Sequence, residues 1–284
     1  MADNANALDA RLRRIRHVSL DLDGTIYLGR TLFPFTLPFL ALLRELGIGY
    51  TFLTNNSSKS SREYLEHVAA FGIPADASEL YTSTQATISY LRSAYPKANR
   101  LFVLGTTSLM GELSEAGFSL CVDDPGDEPD AVVVGFDTSL VFQRLCRAAY
   151  WIQNDKPFIA THPDRVCPTD QPTVLVDCGS ICAALEKATD RKPDAVLGKP
   201  APSMLEGIRQ RHKLQPHELA MAGDRLYTDM AMAHRAGALG VLVLTGETTE
   251  RDAAEADSPV DLIVRDLCVL GEHLKSARQE QADA

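Results

Sequence analysis

Apolar residues run almost unbroken through VSLDLD, IGYTFLTN, DAVVVGF, ELAMAGD and LGVLVLTG, and between such runs lie stretches with three- and four-residue apolar spacing. LPFLALLREL, SREYLEHVAAFG, TQATISYLRSAY, SLMGELSEAGF, VFQRLCRAAYWIQ, PSMLEGIRQRH and YTDMAMAHRAG carry that helical period, and Gly47 and Gly72 end two of them. Short continuous strands alternating with amphipathic helices predict an α/β fold with a parallel sheet covered on both faces. RLFVLG, DAVVVGF and PFIATH, with their helices, form a strand–helix set of their own, divided by the loop CVDDPGDEPDA. The expected organisation is a doubly wound core of residues 1–98 and 195–284, interrupted by an inserted α/β unit over 99–194.

Composition narrows the partners. The chain has 284 residues, 45% hydrophobic and 23% charged, with a formal net charge of -10. That acidity argues against a nucleic-acid or anionic-membrane surface, which needs clustered Lys and Arg. The cluster Arg11, Arg13, Arg14 and Arg16 reads as a solvated first turn. No apolar run reaches the roughly 20 residues that span a bilayer, and MADNANALDARLRR lacks the apolar middle of a signal peptide. Six irregularly spaced cysteines, with Cys178 and Cys182 on one helical face, read as buried reduced thiols. The expected location is the cytoplasm.

Ligands of a doubly wound sheet bind beyond the carboxyl ends of its strands, so the residues standing there carry the chemistry. These are Asp21 and Asp23 after the first strand, Thr54, Asn55 and Asn56 after IGYTFL, Lys199 in LGKP, and Asp224 with Asp229 in GDRLYTD. Two like charges at a strand end repel and resist desolvation, unless a hard cation such as Mg²⁺ holds them ionised. A carboxylate so held is also a nucleophile toward phosphorus. Lys199, Thr54 and backbone N–H groups near Gly24 and Asn55 suit phosphoryl oxygens, and Asp23 has the reach of a general acid and base. Alone, DLDGT is also a strand end followed by a turn, and Asn55 with Asn56 could cap the next helix.

In their order, DLDGT, TNNS, LGKP and GDRLYTD resemble the four motifs of haloacid dehalogenase-type phosphatases. DLDGTIYLG, FLTNNSSKS, FVLGTTSL, ATHPDRVCPT, CGSICAALEK and GKPAPSML are similar to the NagD-like, 4-nitrophenylphosphatase branch, from His17 to Gly246. The resemblance implies a Rossmann-like core with a large α/β cap, Asp21 as nucleophile and Asp23 as general acid/base. It implies a metal site of Asp21, Asp224 and the Asp23 carbonyl, with Asp229 orienting the metal shell or Lys199. Thr54 and Lys199 would bind the phosphate, with Gly24, Asn55 and Asn56 as further substrate contacts. His162 and Asp164 would face the substrate from the cap; His162 is a departure, because relatives commonly have Asn there. Many relatives dimerise through the cap, which makes a homodimer one possible assembly. The expected activity is Mg²⁺-dependent hydrolysis of a small phosphomonoester metabolite, such as a sugar phosphate, phosphoglycolate or pyridoxal phosphate, through an aspartyl-phosphate. A phosphotransferase or mutase using the same intermediate, and a receiver-like phospho-accepting module, remain alternatives.

Overall fold

The structure, a computed structural model, describes residues 2–167, 172–256 and 259–282. Residues 168 and 169, the end of the ATHPDRVCPT stretch, lie outside the described residues. By contacts the chain divides into two units, Met1–Leu53 with Phe71–Leu80 and Pro200–Ala284, and Thr54–Ala70 with Tyr81–Lys199.

The first unit is built on a six-stranded sheet in the order Leu262–Val264, Leu239–Val243, Leu219–Gly223, His17–Asp21, Gly49–Thr54, Leu80–Thr82. The first five strands pair in parallel, with Leu20 opposite both Ala222 and Phe52. Three central strands are buried along their whole length, which is why they read as continuous apolar runs rather than alternating ones. Their carboxyl ends fall together because the pairing is parallel: Asp21 lies opposite Leu53, and Thr54 is the next residue of its strand.

The amino-terminal segment departs from expectation. Residues Ala2–Arg14 form a helix, with Leu12 and then Ile15 fully buried. Arg11, Arg13 and Arg14 stand in its last turn, where positive charge complements the helix dipole, rather than in a solvated first turn, and Arg16 follows the helix. Arg11 pairs with Asp261, and Arg16 with Glu218. A few apolar residues among thirteen polar-rich ones left this helix invisible to periodicity.

The second unit contains a five-stranded parallel sheet in the order Ala195–Val196, Phe158–Ala160, Ala131–Val134, Arg100–Leu104, Ser119–Leu120. Alternate residues of its strands feed two cores. Phe102, Leu104, Val132 and Val134 pack with Trp151 and Leu185 from the helices Phe142–Gln153 and Cys178–Thr189. Leu101, Val103, Val133 and Ile159 pack with Leu91, Leu109 and Leu113 from the helices Ser83–Ala94 and Thr107–Glu115. The strand before LGKP pairs with Phe158–Ala160, so the contact boundary falls after Lys199. A two-residue strand carries too little pattern to reveal which sheet it joins.

Local caps also differ from the simplest reading. The helix Ser61–Ala70 is capped by Ser60 and Glu63, which exchange hydrogen bonds, and not by Asn55 or Asn56. Asp177 caps the helix Cys178–Thr189, while the Ser180 hydroxyl donates to Arg165 O. None of the six cysteines, all among the described residues, is in a disulfide; Cys121, Cys178 and Cys182 are buried, but Cys146 and Cys268 are exposed, contrary to expectation. No described helix is long and apolar enough to cross a membrane.

Candidate active site

In the first unit, Asp21, Asp224 and Asp229 are all buried, and each offers a carboxylate oxygen within 4.8 Å of the others. Three acids converge because two parallel neighbours, His17–Asp21 and Leu219–Gly223, end side by side. Asp229 arrives from a π-type turn, Leu226–Met230, in which the Met230 N–H reaches Arg225 O at 3.2 Å. Such wide turns recur at functional sites because they re-aim a side chain. The Asp229 carboxylate lies where a side chain on Gly223 would be, so glycine at that strand end makes the approach possible.

Glycines press on Asp224 in the same way. Gly24, at a φ of +81°, brings its backbone against the Asp224 carboxylate, and Gly246 approaches the same carboxylate from the loop after Leu239–Val243. The Thr245 hydroxyl donates to Gly24 O at 2.5 Å, tying that loop to DLDGT. Glu247 N donates to Asp224 Oδ2 at 2.6 Å, whereas Asp224 Oδ1 is buried with no hydrogen-bond partner among the described residues. Burial, and then the charges of Asp21 and Asp229, push the Asp224 pKa up to about 7.

The donor set fits a hard divalent cation. All three residues offer oxygen, one oxygen is orphaned, and the glycine cradle admits nothing bulky beside Asp224. Asp23 stands apart from the cluster: it is exposed, and its Oδ1 accepts from Gly29 N at 3.2 Å. Gly24 N donates to Tyr27 O at 2.7 Å, closing the turn that carries Asp23 outward.

The second unit holds the remaining sequence-derived residues. Thr54, Asn55 and Lys199 are buried, and the Thr54 hydroxyl accepts from Asn56 N at 3.2 Å. Asn56 turns its Oδ1 to Ser58, accepting from N at 2.9 Å and Oγ at 2.7 Å. The Asn55 carboxamide brackets the Lys199 backbone and reaches Asp164. His162, expected to face the substrate from the cap, is fully buried. Its Nδ1 meets the Thr161 hydroxyl at 2.8 Å and its Nε2 meets Asp177 Oδ1 at 2.9 Å. Burial alone would depress this imidazole, but the negative charge of Cys178, Asp177 and Asp164 outweighs it and raises the pKa to about 9. Asp177, fifteen residues away in sequence, supplied no signal that it would reach back to His162.

Sequence reasoning also missed Gly223, Gly246 and Glu247. The signal for the last two was present, since Thr245-Gly246-Glu247 directly follows the apolar strand LGVLV.

Comparison with known proteins places this geometry. Residues 18–119 match the family described as haloacid dehalogenase-like hydrolase, and residues 196–270 match a second haloacid dehalogenase-like hydrolase family. Ribonucleotide monophosphatase NagD of Escherichia coli K12 is 32% identical over 238 residues, covering 84% of this chain and 91% of NagD. The crystal structure of 4-nitrophenylphosphatase from Thermotoga maritima is similar with a TM-score of 0.87 and 36% identity, covering 92% of this chain and 98% of that one. Glycerol phosphate phosphatase from Mycobacterium tuberculosis, solved in complex with magnesium, has a TM-score of 0.84 and 31% identity, covering 93% of this chain and 79% of that one. The chain therefore belongs to the haloacid dehalogenase-like hydrolases, in their NagD-like branch, and is a phosphoric monoester hydrolase of that type.

Proposed function

We propose that the chain hydrolyses a small-molecule phosphomonoester with Mg²⁺, through an aspartyl-phosphate on Asp21. The observation that carries this reading is the cluster of Asp21, Asp224 and Asp229, three buried carboxylates around an Asp224 oxygen with no hydrogen-bond partner among the described residues. Three such charges repel one another strongly unless compensated, and oxygen donors suit Mg²⁺. Asp21 and Asp224, with the Asp23 carbonyl and with Asp229 beside them, would hold the ion. When bound, Mg²⁺ neutralises charge on a phosphoryl oxygen.

The chain's own residues then divide the work. An Asp21 oxygen forms a bond to phosphorus as the ester oxygen departs, and the Asp23 carboxylic acid gives that oxygen its proton. Asp23, now a carboxylate, takes a proton from the water that attacks the aspartyl-phosphate, releasing inorganic phosphate and restoring Asp21. Its exposed position supports proton exchange with solvent between steps. Thr54 and Lys199 would hold phosphoryl oxygens, Lys199 as a point charge and Thr54 through its hydroxyl.

The similar proteins are named for ribonucleotide monophosphates, 4-nitrophenyl phosphate and glycerol phosphate, which share the phosphoryl group and differ in the leaving group. A core that reads only the phosphate supports a small soluble ester as substrate here too. The test is phosphate release from nucleotides, sugar phosphates, phosphoglycolate, glycerol phosphate and pyridoxal phosphate. One ester should exceed the rest in kcat/KM by at least about tenfold, roughly 1.4 kcal/mol of leaving-group recognition. Uniformly absent hydrolysis by folded, Mg²⁺-supplied protein would contradict the reading and favour a phosphotransferase.

A further inference from the structure

We propose that Asn55 is a positioning residue whose side-chain carboxamide sets the place of Lys199. The inference rests on the reading above that Lys199 serves the phosphate, and it concerns how this chain holds that lysine.

The carboxamide makes a matched pair of bonds with one residue's backbone. Asn55 Oδ1 accepts from Lys199 N at 2.6 Å, and Asn55 Nδ2 donates to Lys199 O at 3.0 Å. A neighbouring strand would satisfy a peptide in the same way, but the strand Ala195–Val196 has already ended here. Without Asn55, a buried N–H and a buried C=O would each lose this partner. The second Nδ2 hydrogen goes to the Asp164 carboxylate, whose oxygens lie at 3.1 and 3.2 Å. Asn55's own carbonyl accepts from the Ser83 hydroxyl at 2.5 Å.

The neighbouring sequence is shaped by this clamp. Gly198 has a φ of +69°, and a Cβ there would stand 2.7 Å from both Asn55 Oδ1 and His162 Cβ. Glycine before Lys199 therefore admits the carboxamide as well as the left-handed turn. The chemistry also explains why the residue is asparagine. Aspartate keeps the acceptor for Lys199 N but loses both donated bonds and sets a carboxylate against Lys199 O and Asp164. Serine is too short to span the two backbone groups. Lys199 itself is only 4% exposed, so its long side chain follows wherever its backbone is fixed.

The discriminating experiment is a double-mutant cycle of Asn55→Ala and Lys199→Ala, read by 4-nitrophenyl phosphate hydrolysis and by competition with inorganic phosphate. A residue that acts through Lys199 matters only while Lys199 is present. Asn55→Ala should lower kcat/KM by about 100-fold in the otherwise intact protein, the order expected of a misplacement near 1 Å. On the Lys199→Ala background the same change should cost less than about threefold. Equal losses on both backgrounds would overturn the proposal. Should Asn55→Ala not fold, Asn55→Asp takes its place in the cycle with the same criterion. Lys199→Ala with undiminished activity and phosphate affinity would count against the assigned role of Lys199, not against the clamp. The clamp is then decided by hydrogen exchange at the Lys199 amide: loss of Asn55 should speed it about tenfold or more, and an unchanged rate would refute the contact.

Discussion

Glu247 N donates to Asp224 Oδ2 at 2.6 Å, fixing one oxygen of the carboxylate while the other is buried with no hydrogen-bond partner among the described residues. The loop thus orients an acid that, without a counter-charge, is unfavourable beside Asp21 and Asp229. A ligand that binds only the folded state stabilises it by mass action. Mg²⁺ at 100 times its dissociation constant should add about 2.7 kcal/mol, seen as a rise in melting temperature that a chelator abolishes. Asp224→Asn keeps an acceptor for Glu247 N and removes one repelling charge. It should melt above the wild type in chelator, show no Mg²⁺ response, and lose turnover; an undiminished Mg²⁺ shift would place the ion elsewhere.

Gly24 offers a steric test of the same cradle. Alanine there must adopt a φ of +81° and press on Asp224 and on Gly246 Cα, which a Cβ would meet at 3.0 Å. The left-handed conformation alone costs about 1–2 kcal/mol. Gly24→Ala should therefore lower the denaturation midpoint and cut kcat by more than about tenfold, because the displaced group is the Asp224 carboxylate proposed to hold the ion. Full activity would mean that the cradle yields freely.

A histidine pair, His17 buried and His212 half-buried, makes stability depend on pH. His17 Nε2 meets the Thr51 hydroxyl at 2.8 Å, that hydroxyl meets His212 Nε2 at 3.3 Å, and the two rings lie 4.3 Å apart. Burial, and then the His212 charge, push the His17 pKa down to about 3, while His212 is also depressed. Both folded values lie below the unfolded value of about 6.5, so the unfolded chain binds protons first. Stability is complete above that pH and declines as the pH falls, by up to about 1.4 kcal/mol per unit for His17 alone. Urea unfolding at several values between pH 4 and 7 should show His17→Gln with a shallower decline than wild type; parallel curves would remove His17 as the cause.

Thiol labelling checks the second unit and the helix Leu267–Ala282. Cys146 and Cys268 are exposed, whereas Cys121, Cys178 and Cys182 are buried. A thiol reagent should modify the exposed pair rapidly in native protein and the buried three only on unfolding. Rapid native labelling of Cys178 would contradict its packing against Val134 O.

The sequence made the strand-end acids legible because parallel strands end on one side, and Asp21, Asp224 and Asp229 stand at or just beyond such ends. It was silent on the burial of His162, which depends on Asp177 capping a helix and reaching back. It named Asn55 for its backbone and as a helix cap but not for the bonds its carboxamide makes to Lys199, a long-range partner with no local signature. The helix Ala2–Arg14 and the pairing of Ala195–Val196 escaped for the same physical reason: tertiary packing decides them, and few of their residues carry a pattern.

The central claim is that Asp21 carries the phosphoryl group. Asp23→Asn should still accept that group from 4-nitrophenyl phosphate, whose leaving group needs no proton, but should release it slowly. Rapid mixing with substrate and Mg²⁺, followed by acid quench and peptide mass analysis, should show a stoichiometric burst of nitrophenolate and a phosphoryl adduct on the peptide bearing Asp21. Asp21→Asn should show neither burst nor turnover. Hydrolysis that persists in Asp21→Asn, or an adduct on another residue, would contradict the account.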